Sequence, residues 1–261
     1  MKKVWLLFLF LLVPRLASAH VGYVIDQGTF NAHAGADATY FFSPLIHGNT
    51  WILIATVIVA ILAVYLLALR IRVTRQFFTS IHDRSVVYKL YIPWILRLSL
   101  GIALIGAATH HTLISPLATG SNALVTLELF VGFAFLLGAA LLPATLITLI
   151  LFCVALHTNA YVMGNLEFLG AAVALLIAGS GKPGLDDMIG IRMPKLDTLK
   201  PLIPLFLRVS VGGALTFLAL YEKVLNPHIS EAVVIQYNLT NVIGVSPALW
   251  VFGVGIIELI V

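Results

Sequence analysis

Long apolar runs dominate this chain of 261 residues and constrain its fold more than any other feature. A helix that crosses a bilayer needs about 20 mostly apolar residues, because each residue adds only about 1.5 Å and lipid cannot satisfy exposed backbone groups. The sequence predicts about seven such spans, approximately at residues 51–69, 91–108, 124–142, 143–157, 161–178, 202–221 and 247–261. The predicted fold class is therefore all-α, a polytopic transmembrane helix bundle.

The composition excludes the soluble classes of protein. Apolar residues make up 61% of the chain and charged residues 10%, whereas a soluble domain carries about 25% charged residues. We therefore exclude a soluble globular enzyme, a disordered protein and a nucleic-acid binder, and we expect the lipid bilayer as a partner. The single cysteine, Cys153, excludes a disulfide framework and a CxxC metal or redox pair.

The amino terminus is typical of a secretory signal peptide. Two lysines precede an apolar run at residues 4–13, and residues 17–19 are the small residues that a signal peptidase reads. We predict a signal peptide at residues 1–19, a mature chain that begins at His20 and an extracytoplasmic cap at residues 20–49. An uncleaved anchor is the alternative.

Basic residues are concentrated in two places, which predicts the orientation in the membrane. One is a loop at residues 71–90 that follows the first transmembrane helix (50–70), and the other is a linker at residues 188–201. The basic residues in or beside them are Arg70, Arg72, Arg75, Arg84, Lys89, Lys182, Arg192, Lys195 and Lys200. By the positive-inside rule both segments are cytoplasmic. We predict a protein integral to the plasma membrane with an extracytoplasmic mature N-terminus.

Two stretches of the chain repeat each other. Residues 91–104 read YIPWILRLSLGIAL and residues 202–215 read LIPLFLRVSVGGAL, which are identical at eight of 14 positions. The positions that share one helix face in each copy are Pro93, Arg97, Gly101 and Leu104, and Pro204, Arg208, Gly212 and Leu215. Each copy thus presents an arginine one turn from a small residue, where another helix can approach closely.

The next helix after each repeated stretch carries an acid. Glu128 lies in the third predicted span, and Glu258 lies in the seventh. The first copy continues into a four-helix unit at residues 91–187, whereas the second, at residues 202–261, contains one complete helix and part of another. We therefore predict that these residues are a fragment of a protein built on a repeated four-helix unit.

Further motifs accompany the repeat. In the first unit they are Arg97 with Gly101, Glu128 with Gly132 and Gly138, and a glycine-rich turn from Gly179 that ends in Leu185 and Asp186. In the second unit they are Arg208, Lys223 followed by Pro227, and Glu258. This combination resembles the DoxX/DoxD family of small four-helix membrane proteins, although Thr112 stands in the first unit where the second has Lys223. The resemblance implies a quinone-linked redox role, as in the large subunit of thiosulfate:quinone oxidoreductase, or a membrane partner of thiol and superoxide detoxification proteins.

Besides Glu167 in the fifth span, four charged residues lie inside the predicted spans, namely Arg97, Glu128, Arg208 and Glu258. Such groups are costly in hydrocarbon and are functional candidates by default. We predict them as catalytic, with an arginine that holds an anion or a quinone oxygen in a pocket between helices and a glutamate that relays protons. Arg97, Glu128 and Lys223 are the predicted quinone ligands. The alternatives are a structural arginine–glutamate pair and, for Lys223, a side chain that snorkels to the interface.

The histidines suggest a metal site at the outer face. As the mature N-terminus, His20 would offer an amine and an imidazole, a pair suited to copper(II). His110, His111 and His157 also fall on the predicted outer side and are candidates to complete the site. The alternative is a scatter of histidines at the membrane interface, because no HxH or HxxxH spacing occurs.

The leading functional hypothesis is an integral membrane subunit of a quinone-linked oxidoreductase for sulfur or thiol donors. The sequence contains no haem, flavin or iron–sulfur signature, so electrons would arrive through a soluble or membrane redox partner, or through the quinone itself. A binding, transport or metal-handling module and a non-catalytic scaffold for redox partners are the alternatives.

Overall fold

The computed structural model describes residues 21–70, 91–179, 181, 183–191, 193 and 196–260. The predicted signal peptide (1–19), His20 and the predicted cytoplasmic loop at 71–90 lie outside the described residues. Arg192 and Lys195 of the predicted linker lie outside them as well. These parts of the sequence-based interpretation stay predictions.

Helices make up most of the described chain, which confirms the α-helical fold class. In chain order they are α1 (Gln27–His33), α2 (Ala38–Phe42), α3 (Gly48–Arg70), α4 (Ile92–Thr109), α5 (Asn122–Leu137), α6 (Leu141–Thr158), α7 (Leu166–Ala178), α8 (Leu185–Met188), α9 (Ile203–Leu218), α10 (Pro227–Gln236), α11 (Thr240–Ile243) and α12 (Pro247–Ile260). Turns of 3-10 helix occupy Val21–Tyr23, Ser43–Ile46, Ala160–Asn165 and Asp197–Leu202, and a π-helical turn occupies Ala219–Leu225. One short antiparallel hairpin, β1 (Thr112–Leu113) with β2 (Ser115–Thr119), departs from the all-α expectation.

Five segments of the described chain are long and apolar enough to cross a membrane. They are Gly48–Leu66, Ile92–Thr109, Leu141–Thr158, Ala160–Ala178 and Asp197–Leu225. Two further predicted spans, α5 and α12, are apolar but contain only 16 and 14 residues, fewer than the roughly 20 that cross the hydrocarbon core. Helix length and composition thus indicate an integral membrane protein in contact with the lipid bilayer. Helix α3 buries almost none of its described side chains, as lipid contact requires.

Two segments depart from the expected boundaries. The turn expected at Pro143 lies at residues 138–140, because Gly138 ends α5 in the left-handed conformation and Pro143 fits the first turn of α6. Between the sixth and seventh predicted spans, where no helix was expected, the chain forms α10 and α11. Helix α10 begins at Pro227, and proline is favoured at the first helical position.

The chain divides into two compact units. The larger unit comprises residues 45–215, and the smaller unit combines residues 21–44 with residues 216–260. The boundary falls inside α9, and the predicted second unit at residues 202–261 stays a prediction. The first part of α9 packs on α7, where a Cβ on Gly170 would lie only 1.8 Å from Ser210 Oγ.

Helices α4, α5, α6 and α7 form the core of the larger unit. Each packs on the next, and α7 closes the set against α4. The short connections make consecutive helices antiparallel neighbours. The fully buried large side chains in this core are Leu100, Leu104, Phe135, Leu141, Leu151 and Leu175.

Two glycines set a very close approach of α4 to α5. A Cβ on Gly101 would lie 2.8 Å from Gly132 O, and a Cβ on Gly132 would lie 3.0 Å from Gly101 O. Because neither residue has a Cβ, the two backbones touch, which favours van der Waals packing between helices in lipid. The close helix approach expected at Gly101 is confirmed.

The β1–β2 hairpin covers the end of the larger unit where α4 ends and α5 begins. It contacts α5 and α6. His111 and Ile114 have positive φ angles of 56° and 59°, which are uncommon for residues other than glycine and cost energy at a β-branched residue. The chain therefore reverses its direction within residues 111–114, between the end of α4 and the start of α5.

The N-terminal segment (residues 21–44) packs on the smaller unit's other elements, namely α10, α12 and the π-helical turn. Asp37 begins α2 by accepting a hydrogen bond from Tyr40 N over 3.1 Å. Phe41 is 1% exposed, and its ring centroid lies 5.2 Å from that of Phe252 on α12. This segment is most of the predicted cap at residues 20–49, and it is helical and partly buried.

Candidate functional site

Three ionisable side chains, Glu222, Lys223 and Glu258, meet in the smaller unit, and we call them the lysine cluster. Lys223 Nζ lies 3.1 Å from Glu222 Oε2 and 3.0 Å from Glu258 Oε2. The side chain of Glu222 is fully buried, and those of Lys223 and Glu258 are 6% and 19% exposed. Because buried charges require partners, the two carboxylates together stabilise the ammonium group.

Two features of the backbone, a π-helical turn and a glycine on α12, bring the side chains of the lysine cluster together. Glu222 and Lys223 lie in the π-helical turn, a rare conformation that is frequent at functional sites. On α12, a Cβ at Gly255 would lie 2.8 Å from the Phe41 ring and 3.3 Å from Lys223 Cβ. Glycine thus allows the close approach that brings Glu258, three residues further along the same helix face, to the lysine.

Backbone groups complete the lysine cluster. Val21 N donates to Glu222 Oε1 over 3.1 Å, and Ser230 Oγ donates to Glu222 O over 3.0 Å. When all three side chains are ionised, both carboxylates contact the same ammonium group. An ammonium has three hydrogens. Beyond Glu222 and Glu258, Lys223 has no acceptor among the residues that the structure describes, so it retains a donor for a ligand oxygen.

The lysine cluster unites two predicted site residues with one that the sequence analysis missed. Lys223, a predicted quinone ligand, and Glu258, a predicted catalytic acid, lie in direct contact. The alternative interpretation of Lys223 as a snorkelling side chain is wrong, because the side chain is buried. Glu222 was missed, although an acid beside a lysine inside an apolar segment is itself a recognisable signal.

Arg97 lies in the larger unit and is bonded to backbone carbonyls. Its Nε donates to Phe135 O over 3.2 Å, and its Nη1 donates to Pro183 O over 2.8 Å and to Gly181 O over 3.3 Å. The side chain is 2% exposed. Carbonyl groups at a helix C-terminus are unsatisfied within the helix and carry partial negative charge, so the end of α5 and the glycine-rich turn stabilise the buried guanidinium.

Asp186 and Gly138 complete the surroundings of Arg97, and we call these three residues the arginine knot. Asp186 accepts hydrogen bonds from Ala140 N over 2.7 Å and from Leu141 N over 2.9 Å, at the start of α6. A Cβ on Gly138 would lie 2.3 Å from Arg97 Nη2. Residues that carry the family resemblance thus meet in one place. Their hydrogen bonds join the end of α5 and the start of α6 to the glycine-rich turn.

Gly138→Ala is expected to lower the free energy of unfolding more than Gly190→Ala does. Both glycines have positive φ angles, 67° and 76°, so the left-handed conformation costs alanine about 1–2 kcal/mol at either position. Only at Gly138 would the new Cβ collide with Arg97, because nothing lies within 4 Å of a Cβ at Gly190. Unfolding of both variants in detergent measures the difference, and equal losses would contradict the arginine knot.

Glu128 lies at the other end of the larger unit from Arg97. Its Oε1 accepts from Ile114 N over 2.9 Å, and its buried Oε2 has no hydrogen-bond partner among the described residues. Arg97 precedes the end of α4 by 12 residues, which is about 18 Å of helix. The expected pocket shared by Arg97 and Glu128 is therefore wrong, and so is the alternative pairing of the two side chains. The proton-relay role of Glu128 stays a prediction.

Arg208 differs from Arg97, its counterpart in the repeat. The Arg208 side chain is exposed, and a Cβ on Gly212 would meet nothing within 4 Å. Arg97 and Gly101, by contrast, are buried against α5. The repeated sequence thus does not reproduce the surroundings of the arginine within the described residues, and the catalytic role of Arg208 stays a prediction.

The candidate copper ligands within the described chain are exposed. His110 and His111 follow α4, and His157 lies in the last turn of α6. Within the described ranges, no three His, Cys, Asp or Glu side chains are placed to hold a metal ion together. His20 lies outside those ranges, so copper binding stays a prediction.

A second polar cluster in the smaller unit was not predicted, and we call Asp37, Tyr40, His228 and Glu231 the His228 network. His228 Nδ1 lies 2.8 Å from Glu231 Oε2, and Nε2 lies 3.2 Å from Asp37 Oδ2. The Tyr40 hydroxyl donates to Glu231, and the Tyr40 and His228 ring centroids are 4.6 Å apart. The hydrogen bond to Glu231 raises the pKa of His228 above its ordinary value, burial opposes this, and Asp37 adds to it.

Comparisons of the chain with protein-family models, with curated protein sequences and with solved structures give no match. The resemblance to the DoxX/DoxD family therefore depends on the residues named above and stays a prediction.

Proposed function

We propose that this protein is a DoxX-like integral membrane subunit of a quinone-linked oxidoreductase that uses a sulfur or thiol donor. The observation that carries the proposal is the lysine cluster, a buried lysine between two carboxylates in apolar helices. Ionisable groups in such surroundings are costly and are commonly retained for function. The residues of the arginine knot support the proposal through their resemblance to the DoxX/DoxD family.

The lysine cluster has the groups that quinone reduction requires. Reduction of one quinone to quinol consumes two electrons and two protons, and oxidation of two thiols to a disulfide releases the same number of each. The remaining donor of Lys223 would hydrogen-bond a quinone carbonyl oxygen. Glu258, the more exposed of the two carboxylates, would deliver and accept protons. The electrons would come from a soluble or membrane redox partner.

The proposed setting follows from the charge distribution of the sequence. The protein would lie in the plasma membrane with its mature N-terminus extracytoplasmic, after removal of the signal peptide. The lysine cluster, at the end of the sixth span, would then lie toward the outer side of the bilayer. A quinone headgroup prefers this depth, because its polar oxygens remain near the interface while its isoprenoid tail stays in lipid.

Glu258→Gln is expected to lower quinone reduction in native membranes by at least about 100-fold, the usual contribution of a general acid or base. The substitution retains side-chain shape and leaves Glu222 and Lys223 as a balanced pair, so the protein should still fold. The assay follows reduction of a short-chain ubiquinone analogue by a dithiol. Asp197→Asn is the matched control, because Asp197 is an exposed acid that pairs with its neighbour Lys200 at the surface.

The outcomes of this assay are separable. Loss of turnover in Glu258→Gln, with turnover retained in Asp197→Asn and the melting temperature unchanged, supports the proposal. Undiminished turnover in Glu258→Gln contradicts the site. Absence of quinone reduction in membranes that contain the unsubstituted protein contradicts the function itself.

A non-catalytic scaffold for redox partners is the second candidate function, and Arg97 favours it. Arg97 bonds three carbonyl oxygens and is 2% exposed, so its charge fastens helices and does not face a substrate. In a scaffold, co-purification of a redox partner would survive Glu258→Gln, and quinone turnover by the complex would be unchanged.

A further inference from the structure

We infer that the N-terminal segment is a pH-dependent lid on the lysine cluster, held shut by the His228 network while His228 is charged and released when His228 becomes neutral. The inference concerns regulation of the proposed site and rests on the proposed function for its biological meaning. The lid and its release are physical properties that can be tested without any assay of turnover.

The N-terminal segment contributes directly to the burial of the lysine cluster. Val21 N donates to Glu222 Oε1 over 3.1 Å. Phe41 lies against Gly255, whose missing Cβ would also touch Lys223. The segment thus supplies a hydrogen bond to the fully buried carboxylate and an aromatic ring beside the lysine. Its displacement would expose Glu222 and Lys223 to water or to a ligand.

Other polar contacts also join the N-terminal segment to the rest of the smaller unit. Asp37 N donates to Leu225 O over 3.0 Å, and the Tyr237 hydroxyl donates to Val24 O over 3.3 Å. Ionisable side chains also join the segment to α10, through the contacts of Asp37 and Tyr40 with His228 and Glu231. The His228 network is therefore an ionic contact between the segment and α10, and its strength depends on the charge of His228.

His228 is the member of this network that titrates near neutral pH. Both ring nitrogens face carboxylates, Glu231 from its own helix and Asp37 from the N-terminal segment. Tyr40 is the third titratable neighbour and donates to Glu231. The other titratable groups on the elements packed against α10 are Tyr23, His33, Tyr221, Glu222, Lys223 and Glu258, and none of them forms a hydrogen bond or an ion pair with His228 in the described structure.

The direction of the pH effect follows from these neighbours. A charged imidazolium donates from both nitrogens, whereas a neutral imidazole can donate from only one and leaves the other carboxylate without its partner. The hydrogen bond to Glu231 raises the pKa of His228, so the contribution of this contact is complete at pH 6 and is lost as the pH rises through the raised value. Hydrogen bonds from Thr39, Tyr40 N and His228 lower the pKa of Asp37, so Asp37 stays ionised over this range.

Thiol labelling of the purified full chain in lipid nanodiscs tests the lid. Cys153, the one native cysteine, is first replaced by alanine. Ile25→Cys then places a thiol at a position that is 7% exposed in the N-terminal segment, and Asn31→Cys places one at an exposed position of the same segment. At each pH, the maleimide labelling rate at position 25 is divided by the rate at position 31. This ratio cancels the pH dependence of the thiol itself.

The ratio is expected to rise about threefold to tenfold between pH 6 and pH 9, which matches the loss of one or two partly exposed ion pairs. In a His228→Gln background the ratio should already be high at pH 6 and should not change with pH. His33→Gln is the matched control, since His33 contacts only Thr29 O of its own helix, and it should keep the full pH dependence.

Each other outcome overturns the lid. The lid is contradicted if the ratio of labelling rates is independent of pH while the His228 network is intact. It is also contradicted if the ratio still depends on pH in His228→Gln. If His228→Gln does not fold, Asp37→Asn provides the same comparison, because it removes the carboxylate charge through which His228 contacts the N-terminal segment. Failure of the quinone assay with a positive labelling result would contradict the proposed function and leave the lid supported.

Discussion

Lys223→Met is expected to lower the free energy of unfolding by about 3–5 kcal/mol, the usual consequence of removing one partner from a buried ion pair. Lys223 is the cation that both Glu222 and Glu258 contact. Without it, two carboxylates would face each other in apolar surroundings. The amide of Val21 bonds Glu222, but a neutral donor cannot replace a full charge. Methionine keeps the apolar stem, so the loss reports the missing charge.

Two further variants make this prediction specific. Lys200→Met is the matched control, because Lys200 pairs with Asp197 at the surface, and exposed pairs contribute about 0–1 kcal/mol. Adding Glu222→Gln to Lys223→Met should recover part of the loss, since it removes one of the two carboxylates that contact Lys223. Unfolding in detergent, followed by circular dichroism, measures all three. A loss in Lys223→Met no larger than in Lys200→Met would refute the buried cluster.

Arg97→Met is expected to cost a similar amount, about 3–5 kcal/mol, for a different reason. Arg97 donates to the carbonyl oxygens of Phe135, Gly181 and Pro183. Phe135 O also accepts from Gly138 N, so the cost falls on the acceptors in the glycine-rich turn, at about 1–3 kcal/mol for each buried acceptor left without a donor. The substitution would loosen the end of α5 and the glycine-rich turn together. Hydrogen exchange of residues 181–191 should therefore accelerate along with the loss of global stability.

The repeat provides the control for Arg97. Arg208→Met changes the same residue type at the corresponding position, but Arg208 is exposed, so we expect less than about 1 kcal/mol. Arg97→Lys should recover only part of the loss, because one ammonium cannot reproduce the planar fork of donors that reaches several carbonyls. Equal losses in Arg97→Met and Arg208→Met would disprove the arginine knot.

Sequence patterns predicted the helices better than the contacts between them. Apolar runs located α4 and α6 because lipid selects for helix length and hydrophobicity, which a single sequence records directly. The close approach at Gly101 was also predictable, since small residues allow backbones to touch. The partners of Arg97 were not, because the carbonyls that it bonds in the glycine-rich turn lie 84 and 86 residues away along the chain and carbonyl groups carry no sequence signature.

The error over Glu128 has a related cause. Two opposite charges in neighbouring apolar helices suggest an ion pair, but position along the helix decides whether they meet. Arg97 lies near the beginning of α4, whereas Glu128 bonds Ile114 N beyond the end of α4. Glu222 was missed for the opposite reason: its burial depends on the π-helical turn, and a regular helical periodicity does not predict two adjacent inward-facing charges.

The distance along the chain between Arg97 and the glycine-rich turn also delays the burial of Arg97 during synthesis. A ribosome that adds about 5–20 residues per second needs about 4 to 17 seconds to make the residues between Arg97 and Pro183. During that interval the arginine has at most the Phe135 carbonyl as an acceptor, because the Gly181 and Pro183 carbonyls have not yet been made. The packing of α4 to α7 around Arg97 can therefore be completed only after the glycine-rich turn has been translated.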